Sequence, residues 1–192
     1  MRTPRPEVLV GEVVRLEPLS HGHVPDLTAA AAYDEIWTWT GPARMDSTEA
    51  VTAYVDAALA DQDRLPLAVL VDGRAVGSTS YCDIDLTVGG IEVGHTWYTP
   101  AVWQSAVNPE CKLLLLGHAF EVLGAGRVTL KTDGRNARSQ AAIRKLGARY
   151  DGTLRHHRLR PDGSIRDSAY FSVLATEWPE VRAGLLARLG RA

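Results

Sequence analysis

Hydrophobic residues recur along this chain with two different periods. A period of two over residues 12–20 predicts a first strand. Residues 21–37 have a helical pattern in part. Over residues 46–63 the period is that of a helix, and either Asp46 or Ser47 is placed to cap its start. The chain is therefore expected to open with a strand followed by two helical segments.

Two turn signals predict hairpins on either side of a central segment. Asp72-Gly73 divides two β-rich runs within residues 65–85, and "PDG" at 161–163 divides two more within residues 149–178. The remaining pattern predicts a strand at 89–100, a helix at 108–124, a strand at 126–132, a helix at 136–147 and a short C-terminal helix at 179–189. This order indicates a mixed α/β (α+β) fold.

Composition narrows the class of protein. A length of 192 residues fits one domain, and a formal net charge of -2 does not favour nucleic acid binding through bulk charge. Cys82 and Cys111 form no disulfide framework, which favours reduced thiols in the cytoplasm. We expect no signal peptide and no membrane partner, because no apolar run is long enough.

The sequence shows no sign of a metal centre or of a common nucleotide motif. His21 with His23, and His156 with His157, are pairs without convincing metal spacing to cysteine or carboxylate, so no metal is expected. The patterns GxxxxGK[ST], GxGxxG and GxSxG are absent, which argues against P-loop, Rossmann and hydrolase chemistry.

The strand "IEVGHTWY" carries a carboxylate beside a glycine. Strict alternation would place Glu92, Gly94, Thr96 and Tyr98 on one face, and Ile91, Val93, His95 and Trp97 on the other. Glycine within a strand often marks a bulge or a close approach of the backbone to a ligand. A partly buried carboxylate tends to have the raised pKa that a general base requires, whereas the alternative is an edge-strand glutamate facing water.

Two helix starts could bind an anion. In "WQSAVNPECK", Asn108 is expected to cap a helix whose free N–H groups form an anion site, or simply to cap the helix. In "NARSQAAIRKLG", one helical stripe contains Asn136, Ser139, Ile143 and Leu146. The surrounding residues Arg135, Arg138 and Arg144 could pair with phosphates or form a solvated face.

Taken together, four segments resemble the GCN5-related N-acetyltransferases (GNAT), in the branch similar to ribosomal-protein N-terminal acetyltransferases of the RimJ/RimL type. They are "IEVGHTWYTP", "WQSAVNPECKLLLLGHAFEVLGAGRVTL", "NARSQAAIRKLGARYDGTLR" and "DGSIRDSAYFSVLATEW". The resemblance covers a core of about 12–178 within a single domain of residues 1–192. The loop that binds the cofactor pyrophosphate in this family corresponds here to the residues before "NPECK". Gln104 of the family pattern is present, but Val107 and Pro109 replace the small residues of the general family, as in a "VN-x-E-x-K" variant of this branch.

The resemblance implies a splayed, mostly antiparallel sheet of about seven strands flanked by helices. It implies acetyl-CoA as co-substrate, with the pantetheine arm between the "IEVGHTW" and "RVTLKT" strands and the pyrophosphate on the loop before "NPECK". The cofactor-binding residues expected from it are Gly94, His95, Thr96, Gln104, Ser105, Ala106, Val107, Asn108, Asn136, Arg138 and Ser139.

The implied reaction is direct transfer of acetyl to a primary amine, a small molecule or a protein N-terminus. Glu92 would act as general base, Ser139 would protonate the thiolate, and Tyr98 is an alternative proton carrier. An α-amine has a pKa about 2.5 units below that of lysine, which favours α-amines mildly. The alternatives are an acyl-CoA-binding module without turnover, a transferase of another acyl group such as succinyl, and a plain structural protein. A homodimer is possible.

Overall fold

The computed structural model describes residues 1–39, 44–160 and 162–191. There, eight strands form one open sheet in the order β1-β2-β3-β4-β5-β6-β8-β7. The strands are β1 Leu9–Val10, β2 Arg15–Pro18, β3 Arg64–Val71, β4 Arg74–Asp85, β5 Gly90–Tyr98, β6 Arg127–Asp133, β7 Arg149–Leu159 and β8 Ile165–Leu174. The short β1, which pairs with β2, adds one strand to the predicted seven. The expected mixed α/β fold with a mostly antiparallel sheet is confirmed.

Helices flank the sheet, and most begin and end close to the predicted residues. They are α1 Val24–Ala31, α2 Asp34–Trp37, α3 Thr48–Ala60, α4 Val107–Gly117, α5 Ala137–Leu146 and α6 Trp178–Arg188. Ser47 caps α3 by accepting a hydrogen bond from the N–H of Ala50. Asp72 and Gly73 form the predicted two-residue turn, with φ of 49° and 76°. Pro161 of the other predicted turn lies outside the described residues.

Two hydrophobic cores lie on opposite faces of the sheet. One joins the sheet to α4, α5 and α6, and the other joins it to α1, α2 and α3. The two faces therefore have different coverings, and the strands β3, β4 and β5 contribute side chains to both cores by alternation. A side chain on β5 or β6 is thereby assigned either to the face covered by α4–α6 or to the face covered by α1–α3.

The sheet opens in its middle, between β5 and β6. These two strands are parallel and pair only at Gly90–Arg127, Ile91–Val128 and Glu92–Thr129. Beyond Glu92 they separate, because β5 continues along β4 while β6 continues along β8. The rest of β5 thus presents backbone hydrogen-bonding groups to a gap, and such groups need a partner.

A β-bulge in β5 changes the predicted faces. Gly94 pairs with Ser80 and Trp97 pairs with Ser78, so β5 has one residue more than β4 at this point. His95, within the bulge, has a positive φ of 50°. An added residue reverses the alternation that follows it. The prediction that Tyr98 shares a face with Glu92 is therefore wrong: Tyr98 packs in the core beneath α4, and Trp97 packs in the core with α1–α3.

A buried carboxylate fixes α4 to the N-terminal segment. Glu110 is 0% exposed and accepts hydrogen bonds from the backbone N–H groups of Glu12, Val13 and Val14. Arg191, near the C-terminus, pairs with the same carboxylate. Burial raises the pKa of Glu110, but the hydrogen bonds from Arg191 and from the three backbone donors outweigh burial and hold it below 4.5. Glu110 therefore stabilises the fold as an anion.

Replacing this carboxylate should destabilise the protein. Glu110→Gln cannot satisfy all four donors, so we expect the free energy of unfolding to fall by about 2–4 kcal/mol. Because the folded pKa is depressed, the contribution of Glu110 is present above its unfolded pKa of 4.5 and is lost as the pH falls through the folded pKa. Urea unfolding of both proteins at pH 7 and pH 4 measures this difference.

The matched control is Glu12→Gln. Glu12 is also paired with Arg191, at 3.0 Å, but it is exposed to solvent. Its loss should cost less than about 1 kcal/mol. Equal losses in the two variants would contradict the assignment of a structural role to the buried carboxylate.

Candidate active site

Glu92 lies where β5 and β6 separate. It is the last residue of β5 that pairs with β6, and only 3% of it is exposed. Its Oε2 is 2.7 Å from Lys131 Nζ, which also lies 2.9 Å from Asp83 Oδ2. Burial raises the pKa of Glu92, and the ammonium of Lys131 only partly opposes this. The alternative of an edge-strand glutamate facing water is excluded, and the site contains a carboxylate with raised basicity.

Gly94 leaves the space that this carboxylate occupies. A Cβ at position 94 would lie 2.6 Å from Glu92 Oε1 and 3.2 Å from Cys82 Sγ. The first contact is shorter than Cβ atoms show in practice, and the second is tighter than most. The glycine noticed within the strand therefore allows the Glu92 side chain to fold against its own strand, and it also precedes the bulge.

The face of β5 beneath α4 carries a different set of polar groups. The hydroxyl of Tyr98 donates to Asn108 Oδ1 at 3.2 Å. Lys112 Nζ lies 3.2 Å from Thr96 Oγ1, and burial lowers the pKa of this lysine to about 8. Among the described residues, no carboxylate forms an ion pair with Lys112. Sequence reasoning missed this residue because a lysine within a helix ordinarily points to solvent.

The loop before α4 is open at the helix start. The helix begins at Val107, with Ala106 as the N-cap residue and no side-chain cap. Asn108 lies inside the first turn, so the prediction that it caps this helix is wrong. Its amide oxygen instead accepts from Tyr98, and Ser105 Oγ accepts from the N–H of Val107 at 3.2 Å. Pro109 has no N–H, and the N–H of Glu110 bonds to the carbonyl of Ala106 at 3.0 Å, so the N–H of Asn108 is the first-turn donor left for an anion.

A depression of about 350 Å³ adjoins this loop. Its lining consists of Gln104, Ser105, Ala106, Pro109, Lys145, Arg188 and Leu189. Lys145 ends α5 and Arg188 ends α6, so two cations from separate helices face the start of α4. Sequence analysis missed both cations, because only the packing of the three helices brings them beside the loop.

The start of α5 is built as predicted. Asn136 caps the helix, since its Oδ1 accepts from the N–H of Ser139 at 3.0 Å. Ile143 and Leu146, further along the same stripe, are buried. Asp133, at the end of β6, is also buried and pairs with Arg160 at 2.6 Å. The positions of Asn136 and Ser139 are therefore fixed at the start of α5, just after the end of β6.

The three arginines around α5 contact aromatic rings. Arg138 Cζ lies 3.9 Å from the centroid of the Trp103 ring, which comes from the loop before α4. Arg135 lies over Trp39 at 5.2 Å, and Arg144 lies over Phe171 at 5.0 Å. Arg138 thus connects the start of α5 to the loop before α4, beside the depression.

Neither a metal cluster nor a membrane span occurs among the described residues. No group of three or more His, Cys, Asp or Glu residues there could hold a metal ion. No helix in that part of the chain is long and apolar enough to cross a membrane.

Comparison with known proteins identifies the family. The family described as an acetyltransferase (GNAT) domain matches residues 14–149. A crystal structure from T. thermophilus, named as an acetyltransferase candidate, is 40% identical with a TM-score of 0.89 and covers 97% of this chain and 99% of that chain. RimJ from Mycobacterium smegmatis, solved with CoA-disulfide, shares the fold at 20% identity, with a TM-score of 0.83, and covers 100% of this chain and 98% of its own.

A curated relative is similar over part of its length. YdaF of Bacillus subtilis (strain 168), named as a candidate ribosomal N-acetyltransferase, is 27% identical over 119 residues, which span 62% of this chain and 64% of YdaF. The likeness to YdaF in sequence and to RimJ in fold supports the RimJ/RimL-like branch. Because the family match extends over most of the chain, through the opened strands and both helix starts, the chain belongs to the GNAT acetyltransferase family.

Proposed function

We propose that this protein transfers acetyl from acetyl-CoA directly to a primary amine, with Glu92 as the general base. The observation that carries the proposal is the buried Glu92 carboxylate, of raised pKa, at the point where β5 and β6 separate. A general base must be partly protected from water and close to the reacting amine. The gap beyond Glu92 is the place where a thioester could meet that amine.

The residues expected to bind the cofactor fall into three groups in this proposal. The pantetheine arm lies along the unpaired part of β5, at Gly94, His95 and Thr96. The pyrophosphate lies on residues 104–108, at the open start of α4, where Lys145 and Arg188 add positive charge. Asn136, Arg138 and Ser139 contact the arm from α5. RimJ, which shares this fold, was solved with CoA-disulfide, and this supports the same class of ligand here.

The proposed chemistry is addition followed by elimination. Glu92, directly or through a water molecule, takes a proton from the substrate ammonium, and the free amine attacks the thioester carbonyl. Backbone N–H groups of the bulge near Gly94 and His95 stabilise the oxyanion. The C–S bond then breaks, and Ser139 gives its proton to the leaving thiolate. The second proton lost by the nitrogen as the amide forms restores the Ser139 hydroxyl through solvent, and Glu92 releases the first proton to water. The products are the acetylated amine and CoA.

Tyr98 has a narrower proposed role than Glu92. Its hydroxyl lies on the α4 face and is hydrogen-bonded to Asn108, and burial raises its pKa well above its usual value. A tyrosine in that position could exchange protons only on the cofactor side of β5. We therefore keep Tyr98 as an alternative proton donor to the thiolate and Glu92 as the base for the amine.

The acceptor is proposed at the level of a primary amine, either a small molecule or a protein N-terminus. The name of YdaF, a candidate ribosomal N-acetyltransferase, favours a protein N-terminus. Cys82 and Cys111 are both buried free thiols, which is compatible with a cytoplasmic location. An acyl-CoA-binding module without turnover, or a transferase of succinyl, would share the same groove and is separated from the proposal by assay of acetyl transfer.

Glu92→Gln should lower kcat by about 10²- to 10⁴-fold, the usual contribution of a general base, while changing the Kd for acetyl-CoA little. In the wild type the rate should rise with pH as Glu92 loses its proton, at an apparent pKa above 4.5, and this limb should disappear in the variant. Steady-state kinetics between pH 5 and pH 9, with calorimetric binding of acetyl-CoA, measure both effects.

Asp83→Asn is the matched control, because it removes the other carboxylate partner of Lys131 from an exposed position. Its turnover above pH 7 should stay close to that of the wild type, while the acidic limb should move to lower pH, because the Asp83 carboxylate raises the pKa of Glu92. If Glu92→Gln keeps normal turnover across this pH range, the base is another group. If the wild type and Glu92→Gln both bind acetyl-CoA but neither acetylates an amine, the binding-module alternative replaces the proposal.

Asn136→Asp should keep the fold and weaken acetyl-CoA binding. An aspartate still accepts the N–H of Ser139, so the cap remains, but it loses the amide donor and adds a negative charge beside the proposed phosphates. We expect an unchanged Tm and a KM for acetyl-CoA raised by about 10-fold, the effect of one charge-assisted hydrogen bond. Asn136→Ser, which caps without charge, is the control. An early melting transition together with normal CoA binding would reduce Asn136 to a cap alone.

A further inference from the structure

Two arginines lie opposite each other on the outer hairpin of the sheet. In the antiparallel pair of β7 with β8, Arg158 is the register partner of Arg166. Directly opposed like charges destabilise such a pair, by about 0.2–1 kcal/mol. Arg158 is exposed to water, whereas Arg166 is partly buried, so the charge of Arg166 is the less fully solvated of the two.

No compensating partner is present among the described residues. Neither Arg158 nor Arg166 forms an ion pair there, and the buried Nε of Arg166 has no hydrogen-bond acceptor. The neighbouring Arg160 differs, since it pairs with Asp133 at 2.6 Å. A carboxylate at the end of β6 thus pairs with Arg160, and among the described residues none pairs with Arg166. Burial also lowers the pKa of the Arg166 guanidinium, as expected for a partly desolvated cation.

Both arginines lie on the same face of the sheet as the proposed base. Lys131 pairs with Tyr170, and Asp133 pairs with Ser168, so alternation along β8 places Arg166 on the face of Lys131. Lys131 contacts the Glu92 carboxylate at 2.7 Å, which assigns Glu92 to that face as well. The carboxylates of Asp133 and, to a smaller extent, Glu92 raise the pKa of Arg166 and so oppose the effect of its burial.

A further cation approaches from the opposite side of the gap. Arg64 is buried, and within the described part of the chain its guanidinium donates hydrogen bonds only to the neutral hydroxyl groups Ser80 Oγ and Tyr54 OH, each at 2.8 Å. Its charge acts on His95 of the bulge, together with those of Arg158 and Lys131. Of the nearby carboxylates, Glu92 and Asp83 are engaged with Lys131, and Asp133 is engaged with Arg160. The charge of Asp61 opposes the three cations at His95, with the smallest effect of the four groups.

The cationic side chains around Glu92 are unfavourable for a substrate whose only charge is an ammonium group. An acceptor amine arrives as a cation, and it would be repelled by these groups unless it brought negative charge of its own. We propose that the acceptor is an amine that carries a carboxylate or phosphate close to its amino group, and that Arg166 and Arg158 bind this anion. The inference rests on the proposed function and specifies its substrate class.

The arrangement also assists the chemistry. Arg166 is an unpaired guanidinium, whose planar donors suit a carboxylate or a phosphate. With the anion fixed there, the remaining cations favour the neutral form of the amine, which is the form that attacks the thioester. The same cationic side chains thus bind the anionic group of the acceptor and favour deprotonation of its amine.

The test uses acceptors that differ in one charge. The dipeptide amides Asp-Ala-NH2 and Asn-Ala-NH2 have the same shape, and phosphoSer-Ala-NH2 with Ser-Ala-NH2 forms the phosphate pair. Free aspartate is included to distinguish a small amino acid from a peptide N-terminus. We expect kcat/KM for the charged member of a pair to exceed that for the neutral member by at least about 10-fold, the effect of one charge-assisted hydrogen bond.

Arg166→Gln should remove this preference. It should raise the KM for the charged acceptor by about 10-fold or more, leave the KM for the neutral acceptor and for acetyl-CoA unchanged, and leave Tm at or above the wild-type value. Arg166→Lys should restore part of the preference. Arg74→Gln, at the exposed β3–β4 hairpin, is the control and should change none of these values.

Each outcome has a definite meaning. A preference for the phosphate pair or for the carboxylate pair supports the inference and identifies the anion. Equal turnover of charged and neutral acceptors, or an equal loss for both in Arg166→Gln, overturns it while leaving the proposed function intact. Failure to acetylate any of these amines, with acetyl-CoA bound, overturns the proposed function instead, and the inference with it.

Discussion

The separation of β5 from β6 beyond Glu92 is the constraint on which the rest of this structure depends. A parallel pair inside a sheet ordinarily continues until one strand ends, because each unpaired backbone group costs free energy. Here both strands continue, held by β4 and β8 on their outer sides, and leave the facing groups open. The helices reinforce this geometry, since α4 is fixed by the buried Glu110 and α5 begins at the end of β6.

The position at which β5 and β6 separate determines which charged groups meet in the site. Glu92 is buried at the last paired position, and Lys131 of β6 keeps it partly stabilised as an anion across the opening. Gly94 provides the space for this carboxylate, and the bulge after it turns the next residues so that Thr96 and Tyr98 face α4. One face of the gap therefore holds Glu92 and Lys131, and the other holds Thr96 and Tyr98. Arg166 belongs to the face of Glu92.

Local patterns predicted much of the fold, and non-local packing determined the rest. Hydrophobic period and turn residues predict the order of elements, the Asp72-Gly73 turn and the Asn136 cap, because each depends on residues a few positions apart. The face of Tyr98 could not be predicted, since it depends on one extra residue in register with β4. Lys145, Arg188 and the Arg158–Arg166 pair were missed for the same reason: each acquires its role from a neighbour that is distant along the chain.

Hydrogen–deuterium exchange with and without CoA tests the central claim, that the open edge of β5 receives the cofactor arm. In the free protein, part of the N–H groups of residues 93–98 lack a partner on β6 and should exchange readily, whereas a bound pantetheine arm should protect them. The account predicts that saturating CoA slows exchange in residues 93–98 and 104–110. Exchange that is unchanged in both segments while CoA is bound, or that slows only elsewhere in the chain, would contradict it.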